Sequence, residues 1–461
     1  MHTYSFHRNI PIAEEYYDLV VAGGGPAGAA AAISAARQGA KVLLVEGTGC
    51  LGGMGTSGLV TAFDPMANGE RMLVGGFMKE VVETLYRRSL LRPDIDPDSW
   101  RKHYHKWTAF QVEGYKLVLD EFAVDAGVEV RFFTKVVDAE ANSVTGIVQG
   151  VVLHNIEGFT YVRAKTFIDS TGDAVLSELC DVTCVEAGRD TPGIMPATLA
   201  SLFSNIDWGP TKGKSYEIQQ EMLHIALRDG HFSQPDRHLP GMAKVNHTVG
   251  YLNGGHLFNL NALRCKDLSD GVMLGRRLAR EYMDFYKKYV PGFEHIEHVT
   301  TASLIGIRES RRIVGEYELN VQDYFARRQF PDQIGLFNKS IDIHPYNNSE
   351  EEYKRYYDEF EKAGRLSPGE CFGIPYGVLV PKGWRNLWVA GRCVSSDVQV
   401  HGSIRVQPAC AMMGQAAGTA AVQTIRTGQS ACELDTEQLI TTLREHDAYL
   451  PQETLSKQMT R

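Results

Sequence analysis

One stretch near the N-terminus, Tyr17 to Glu46, limits what this chain can fold into. It opens with the apolar run Leu19-Val20-Val21-Ala22 and turns through Gly23-Gly24-Gly25-Pro26-Ala27-Gly28. The alanine-rich pattern Ala29–Arg37 ends at Gln38-Gly39 and gives way to Val42-Leu43-Leu44-Val45 and then Glu46. Period and punctuation predict strand, helix and strand, with G-x-G-x-x-G at the first turn. The acid stands 46 − 28 = 18 positions past the last glycine. Each part has a job in holding a dinucleotide. Gly23 permits the turn, Gly25 lets backbone approach a pyrophosphate, and Gly28 lets helix and strand pack closely. The helix N-terminus offers free N–H groups and partial positive charge to phosphates, and Glu46 can accept from ribose hydroxyls. By hydropathy alone Leu19 to Ala36 would also pass for a membrane span, but its glycines, Pro26 and lack of basic flanks argue against one.

A chain of 461 residues has room for two domains and a large core. A net charge of −9 speaks against nucleic acid or an anionic membrane as partner. The eight cysteines form no C-x-x-C pair, so no zinc or iron–sulfur framework is visible and no metal is expected. Cys180 and Cys184 are spaced for one helix face, as buried thiols. Acidic residues Glu14, Glu15 and Asp18 precede the first apolar run, unlike a secretory leader, and a reducing cytoplasm fits.

After Glu46 comes a glycine-rich run to Gly58, built to let backbone approach something flat or anionic. Gly75–Arg88 and Gln111–Ala126 read as amphipathic helices, with a surface excursion from Arg92 to Trp107 between them. Val128–Val137 reads as a strand, and Gly146–Asn155 with Thr160–Ile168 as a hairpin. The second arm runs into Asp169-Ser170-Thr171-Gly172-Asp173, another strand ending in a glycine turn before a helix. From about residue 190 to 375 prolines punctuate the chain. Leu268–Tyr289 is a long helix there and Ser349–Ala363 a charged one. Asn386–Arg392 then reads as a short buried strand, Cys393–Val406 as a loop, and Pro408 opens a long helix, Ala409–Arg426.

These pieces in this order resemble the FAD-dependent oxidoreductases of the glutathione-reductase-2 type. The motifs are V-x-G-G-G-P-A-G at Val21–Gly28, L-G-G-M at Leu51–Met54 and G-x-R-E-S-R-R-I-x-G at Gly306–Gly315. A-G-R-x-V-S-x-D stands at Ala390–Asp397, and H-G-S-I-R-V at His401–Val406 precedes G-Q-A-A-G at Gly414–Gly418. The resemblance covers roughly residues 17 to 425 and implies an α/β fold. A Rossmann-like FAD-binding domain, residues 1–190 and 376–461, would carry an inserted α+β substrate domain, 191–375. Gly23, Gly25, Pro26, Ala27 and Gly28 would cradle the FAD pyrophosphate, with Glu46 on the adenosine ribose. Gly52 and Gly53 would lie along the pyrophosphate and ribityl chain, and Val136 would meet the adenine through its backbone. Gly172 and Asp173 would form the second FAD turn, and Asp397 would bind ribityl hydroxyls or phosphate. Ser403, Ile404 and the following helix would face the pyrimidine end of the flavin. Cys50 departs from the family pattern and reads as a small buried hydrophobe or as a neighbour of the flavin.

The reacting side is expected from the middle of the chain. Read as a strand, Asn253–Asn261 puts His256, Phe258 and Leu260 on one face and Asn259 with Asn261 on the other, toward a polar substrate or bridging backbone. Read as a helix, Gly306–Arg312 puts Arg308, Arg311 and Arg312 on one side, as a clamp for a carboxylate or polyol or as packing pairs. His401, beside the flavin-binding loop by resemblance, is a general acid or base, or a structural histidine. The resemblance implies hydride transfer from a polar small organic substrate to FAD, with His401 or His256 removing a proton. Alternatives are a flavin-dependent monooxygenase and a non-catalytic flavin electron-transfer subunit. The electron acceptor is unidentified, homo-oligomerisation is left open, and neither nucleic acid nor membrane is expected.

Overall fold

The computed structural model describes residues 8–96, 98–99, 107–358 and 365–451. The strand Ile12–Ala22 lies inside the main sheet, parallel to Val42–Val45 on one side and to Gly158–Asp169 on the other. Its end is in register with both neighbours: Ala22 stands opposite Val45 and Asp169. Glu129–Arg131 extends the parallel set beyond Val42–Val45, and the returning strand Leu387–Val389 pairs with the end of Gly158–Asp169. The other half of Gly158–Asp169 enters an antiparallel meander with Ile147–Asn155 and Lys135–Asn142. Val42–Val45 and Leu387–Val389 are buried throughout, as parallel strands covered on both faces must be. The protein is thus a mixed α/β fold with a parallel sheet at its centre.

The helix Pro26–Arg37 crosses back from the glycine turn, and the long helix Gln407–Thr427 packs on it. Gly414 and Gly418, four apart on one face, set the distance. A Cβ on Gly414 would lie 2.0 Å from the Ala27 carbonyl, and one on Gly418 would lie 2.3 Å from that of Ala31. The alanines opposite make the same contact from their side, so the helix that begins at the turn is held by backbone-close packing.

A second, antiparallel sheet runs in the order Ala243–Lys244, Gly250–Leu252, Ser201–Ser204, Glu297–Thr301. With the helices Ser215–Arg228 and Cys265–Tyr289 it encloses its own apolar core around Phe203, Tyr282, Phe285 and Phe293. Between Ile313 and Val380 many buried apolar side chains belong instead to the main core, among them Leu319, Tyr324, Phe337 and Phe372. Two smaller apolar clusters, one around Leu199, Leu257 and Ile305 and one around Val245 and Tyr251, also draw on residues 191–375.

Several local expectations change. The run 128–137 is two strands, Glu129–Arg131 and Lys135–Asn142, separated by a turn at which Phe133 has φ +52°. Cys180 and Cys184 do not share a helix face: Val175–Leu179 ends at Cys180, and Cys184 opens the strand Cys184–Glu186. The stretch 393–406 is not all loop, because Asp397 caps a helix, Val398–Ile404, by accepting from the Val400 amide at 2.8 Å. Pro408 is the second residue of its helix, not the first. The charged helix spans Glu350–Tyr356, and its expected continuation through 359–363 lies outside the described residues, as does most of the excursion at 97–106. Among the described residues no helix is long and apolar enough to cross a membrane.

Candidate active site

Backbone alone builds one end of the site. A Cβ on Gly28 would stand 1.7 Å from the Gly23 carbonyl, and one on Gly23, at φ +95°, 2.5 Å from that of Ser170. These two glycines are demanded by the fold itself. Gly25 is different. Its backbone is extended, it begins the helix Pro26–Arg37 with no side-chain cap, and a Cβ there would meet nothing within 4 Å. Free helix amides thus look onto open room, which is what an anionic cofactor needs. Gly52, at φ +93°, donates its N–H to the Gly24 carbonyl at 2.8 Å, and Gly53 lies against Gly25. Glu46 accepts from the amides of Gly24 and Thr48, both at 2.7 Å. Its carboxylate is so fixed at the mouth of the turn and keeps acceptor capacity for hydroxyls. Val136 is buried in its strand, opposite Leu153.

The second turn is shaped by Asp169, whose carboxylate accepts from the amide and hydroxyl of Thr171 and of Ser177. Gly172 takes φ +78°, and Asp173 accepts from Arg392 and Ser310, both at 2.6 Å. The buried Ser170 hydroxyl has no partner in the protein. Gly25, beside open room and uncapped helix amides, with Gly53 packed on its backbone, forms a backbone-lined cradle for an anionic group, so the residues present fit FAD.

Three segments then converge. The amides of Ser303 and Leu304 both donate to the Ser57 carbonyl at 3.0 Å, which ties the segment carrying Arg308 to the glycine-rich loop. Gln407 donates to the carbonyls of Val60 and Ala62 at 2.8 and 3.2 Å, tying the start of the long helix to the same loop. Residues 339–344 pack on the helix Val398–Ile404 through Ser403, whose hydroxyl donates to the Lys339 carbonyl at 2.5 Å, and through Arg405, which donates to the Asp342 carbonyl at 2.8 Å.

Charged side chains line this junction. Arg308 is buried and donates to the Pro196 carbonyl at 2.6 Å, and among the described residues it forms no ion pair. Burial first, then Arg405, pulls its pKa down to about 9, so it stays charged at neutral pH. Lys339 donates to Asp64 at 2.6 Å. Burial would raise the Asp342 carboxyl, but His344, Lys339 and Arg405 outweigh it and hold it well below the usual range. His344 meets Asp342 through Nε2 at 3.3 Å and His256 Nε2 through Nδ1 at 3.0 Å. Burial, then Arg308, keeps His344 well below an ordinary imidazole. His238 stacks on His256 at 4.9 Å between centroids, and burial brings it down to about 3.

The predicted site residues separate accordingly. Arg308 and His256 come together at the junction. Arg311 and Arg312 leave it, because 311–313 is not helical: Arg311–Ile313 is a strand paired with Cys184–Glu186. Arg311 reaches Glu178 at 3.3 Å, and Arg312 reaches the Ser396 carbonyl and Asp190. Asn253–Asn261 is not a strand beyond Leu252. Asn259 sits exposed in a turn at φ +57°, and Asn261 accepts from the Leu263 amide. His401 is fully buried and bonds the Arg392 carbonyl through Nε2 at 2.8 Å, leaving Nδ1 without a partner. A carbonyl can only accept, so Nε2 carries the proton. Burial, then Arg312 and Arg405, keeps the ring neutral. Both Asp397 oxygens accept backbone amides, from Val400 and from Val321 at 2.6 Å. Ile404 is buried at the end of its helix. Cys50 is half-buried, its thiol 3.2 Å from the Ser57 hydroxyl.

Sequence reasoning missed His238, His344, Asp342, Lys339 and Arg405. Only Arg405 left a signal, four residues after His401 in the same motif. A cavity of about 560 Å³ lined by Trp107, Trp208, Tyr216 and Lys244 lies apart. It shares no lining residue with the glycine turns or the histidines.

The sequence profile of the family described as FAD dependent oxidoreductase matches residues 18–443. Curated protein sequences contain no match. Among solved structures, the flavin-dependent brominase Bmp2 is 14% identical with a TM-score of 0.46, over 94% of this chain and 83% of that one. A geranylgeranyl bacteriochlorophyll reductase-like protein from Thermoplasma acidophilum gives 13% and 0.45, over 96% and 90%. The p-nitrophenol 4-monooxygenase of Pseudomonas putida gives 12% and 0.46, over 96% and 92%. Likenesses this distant say nothing about the reaction.

Proposed function

The chain belongs to the FAD-dependent oxidoreductase family, with FAD as its cofactor, and from that premise we propose that it oxidises a small polar substrate bearing a carboxylate or comparable anion. FAD, when bound, supplies the ring that takes up the substrate's hydride. Gly23, Gly25, Pro26, Ala27 and Gly28, with Gly52 and Gly53, hold the pyrophosphate by backbone, and Glu46 takes the ribose. Arg308 binds and orients the substrate's anionic group. The observation that carries this reading is a buried guanidinium without an ion-pair partner among the described residues, on a segment hydrogen-bonded to the glycine-rich loop. A desolvated cation of that kind is costly unless a ligand neutralises it. The paired imidazoles of His256 and His344 stand beside it. His401 acts at one remove, holding the Arg392 backbone while the Arg392 side chain fixes Asp173 at the second FAD turn.

The test is anaerobic mixing of the FAD-loaded protein with a panel of hydroxy- and amino-carboxylates and their uncharged analogues. Bleaching of the flavin by carboxylates, and not by the matching amides or esters, is expected. Reduction only by NAD(P)H, followed by oxygen-dependent hydroxylation, would turn the assignment to a monooxygenase. Reduction only by a protein donor would turn it to an electron-transfer subunit.

A further inference from the structure

Among the described residues, one group of side chains has the makings of a metal site: His238, His256 and His344, each of which offers a ring nitrogen within 4.8 Å of the other two. His256 and His344 are 1% and 5% exposed, so their nitrogens face each other away from solvent, while His238 is half-buried. The facing pair, His256 Nε2 and His344 Nδ1, is 3.0 Å apart. Two ligands of a tetrahedral zinc ion at ~2.05 Å stand ~3.3 Å apart, so this edge of the polyhedron is nearly formed.

The outer nitrogens tell the same story. His256 Nδ1 lies 3.2 Å from Asp236 Oδ2, and His344 Nε2 lies 3.3 Å from Asp342 Oδ1. The first contact is too bent to count as a hydrogen bond, and Nδ1 has no other partner. Asp236 is itself held in place by the His256 amide at 3.0 Å and by the Tyr353 hydroxyl. Carboxylate, imidazole, metal is the usual order in protein metal sites, the carboxylate fixing the tautomer that leaves the inner nitrogen bare. If both outer nitrogens carry their protons toward Asp236 and Asp342, two lone pairs point at each other across 3.0 Å. Something positive has to lie between them.

We propose that His238, His256 and His344 bind one divalent first-row transition-metal ion of the imidazole-favouring class, zinc or iron(II). Asp236 and Asp342 are the outer carboxylates, and the fourth position is left for water or a substrate oxygen. Arg308 bears on the same space as a repelling charge, and the two carboxylates offset a dication against it. The half-buried His238 supplies the third ligand. The inference concerns the ion alone and stands whether or not the substrate is a carboxylate.

The probe is zinc, then cobalt(II), on the FAD-loaded full-length protein. After dialysis against zinc and removal of loose ions, elemental analysis should give one zinc per chain. Cobalt(II) should give intense visible bands of a low-coordinate site at wavelengths beyond the flavin. His344→Ala and His238→Gln should abolish both, and Asp236→Asn should weaken cobalt binding by about 10- to 100-fold. A control at the exposed His247, His247→Ala, should bind as the wild type does. FAD content and melting temperature on each variant separate loss of metal from loss of fold. The wild-type measurement decides even if a variant does not fold. No stoichiometric zinc in the wild type would overturn the proposal. So would a weak octahedral cobalt spectrum, or binding that His238→Gln leaves intact. If no zinc binds, a proton shared by the two imidazoles is what fills the gap.

Discussion

The two ends of the site are made of different materials. At the cofactor end, Gly23, Gly25, Gly28, Gly52 and Gly53 do the work with backbone, and the chain that forms the turn is contiguous. At the proposed substrate end, charged and imidazole side chains from residues 238–405 meet: Arg308, His256 and His344, which are buried, with the half-buried His238, Lys339, Asp342 and Arg405. The first end fails when a carbon atom is added. The second should fail when a charge is removed, without loss of the first. Within the cofactor end there is a further contrast, between glycines the fold requires and one the ligand requires.

Gly28→Ala should have the largest effect. Its Cβ would be placed 1.7 Å from backbone that cannot move without opening the sheet. Destabilisation above about 4 kcal/mol is expected, read as loss of soluble yellow protein. Arg312→Ala comes next, because its buried side chain bridges the Ser396 carbonyl and Asp190. Breaking such a pair costs about 3 kcal/mol, seen as a lower denaturation midpoint with FAD lost only in proportion. Gly25→Ala should leave stability within about 0.5 kcal/mol, since the new methyl meets no protein atom, yet weaken FAD binding about tenfold or more. Titrating FAD into the apoprotein while following melting checks both halves. Equal effects at Gly25 and Gly28 would erase the distinction.

The smallest effect is in pH dependence. His401 titrates well below 6.5 in the folded state because it is buried and faces Arg312 and Arg405. The unfolded chain takes up that proton near pH 6.5. Stability from this group is therefore complete above pH 6.5 and declines below it, by about 1.4 kcal/mol per pH unit, until the folded pKa is reached. His401→Asn should flatten the unfolding free energy against pH, between about 6.5 and 5, by one proton. An unchanged slope would mean that the ring is charged in the fold.

The cofactor end was legible because every requirement was local: strand, turn, helix and acid lie within Tyr17–Glu46. The long helix was legible from its alanines, and Gly414 with Gly418 prove to be its contact with the first helix. The substrate end was not. Arg308 was singled out for its company on a helix that does not exist. Arg311–Ile313 pairs with Cys184–Glu186 and sends Arg311 and Arg312 to structural partners, while Arg308 remains behind. His256 was singled out with Asn259, but the turn that follows Leu252 points Asn259 to solvent. His238 and His344 carry no spacing signal, because tertiary packing alone joins segments about 100 residues apart.

The central claim is that Arg308 serves the substrate and not the fold. The direct measurement is made on Arg308→Ala beside the wild type: flavin occupancy, melting temperature and the anaerobic rate of flavin bleaching by the carboxylate that reduces the wild type. Occupancy and melting temperature should match the wild type while the bleaching rate falls about 100-fold or more, the loss of a charged contact made to the reacting substrate. Losses of equal proportion in all three, or an unchanged bleaching rate, would contradict the account and return Arg308 to packing.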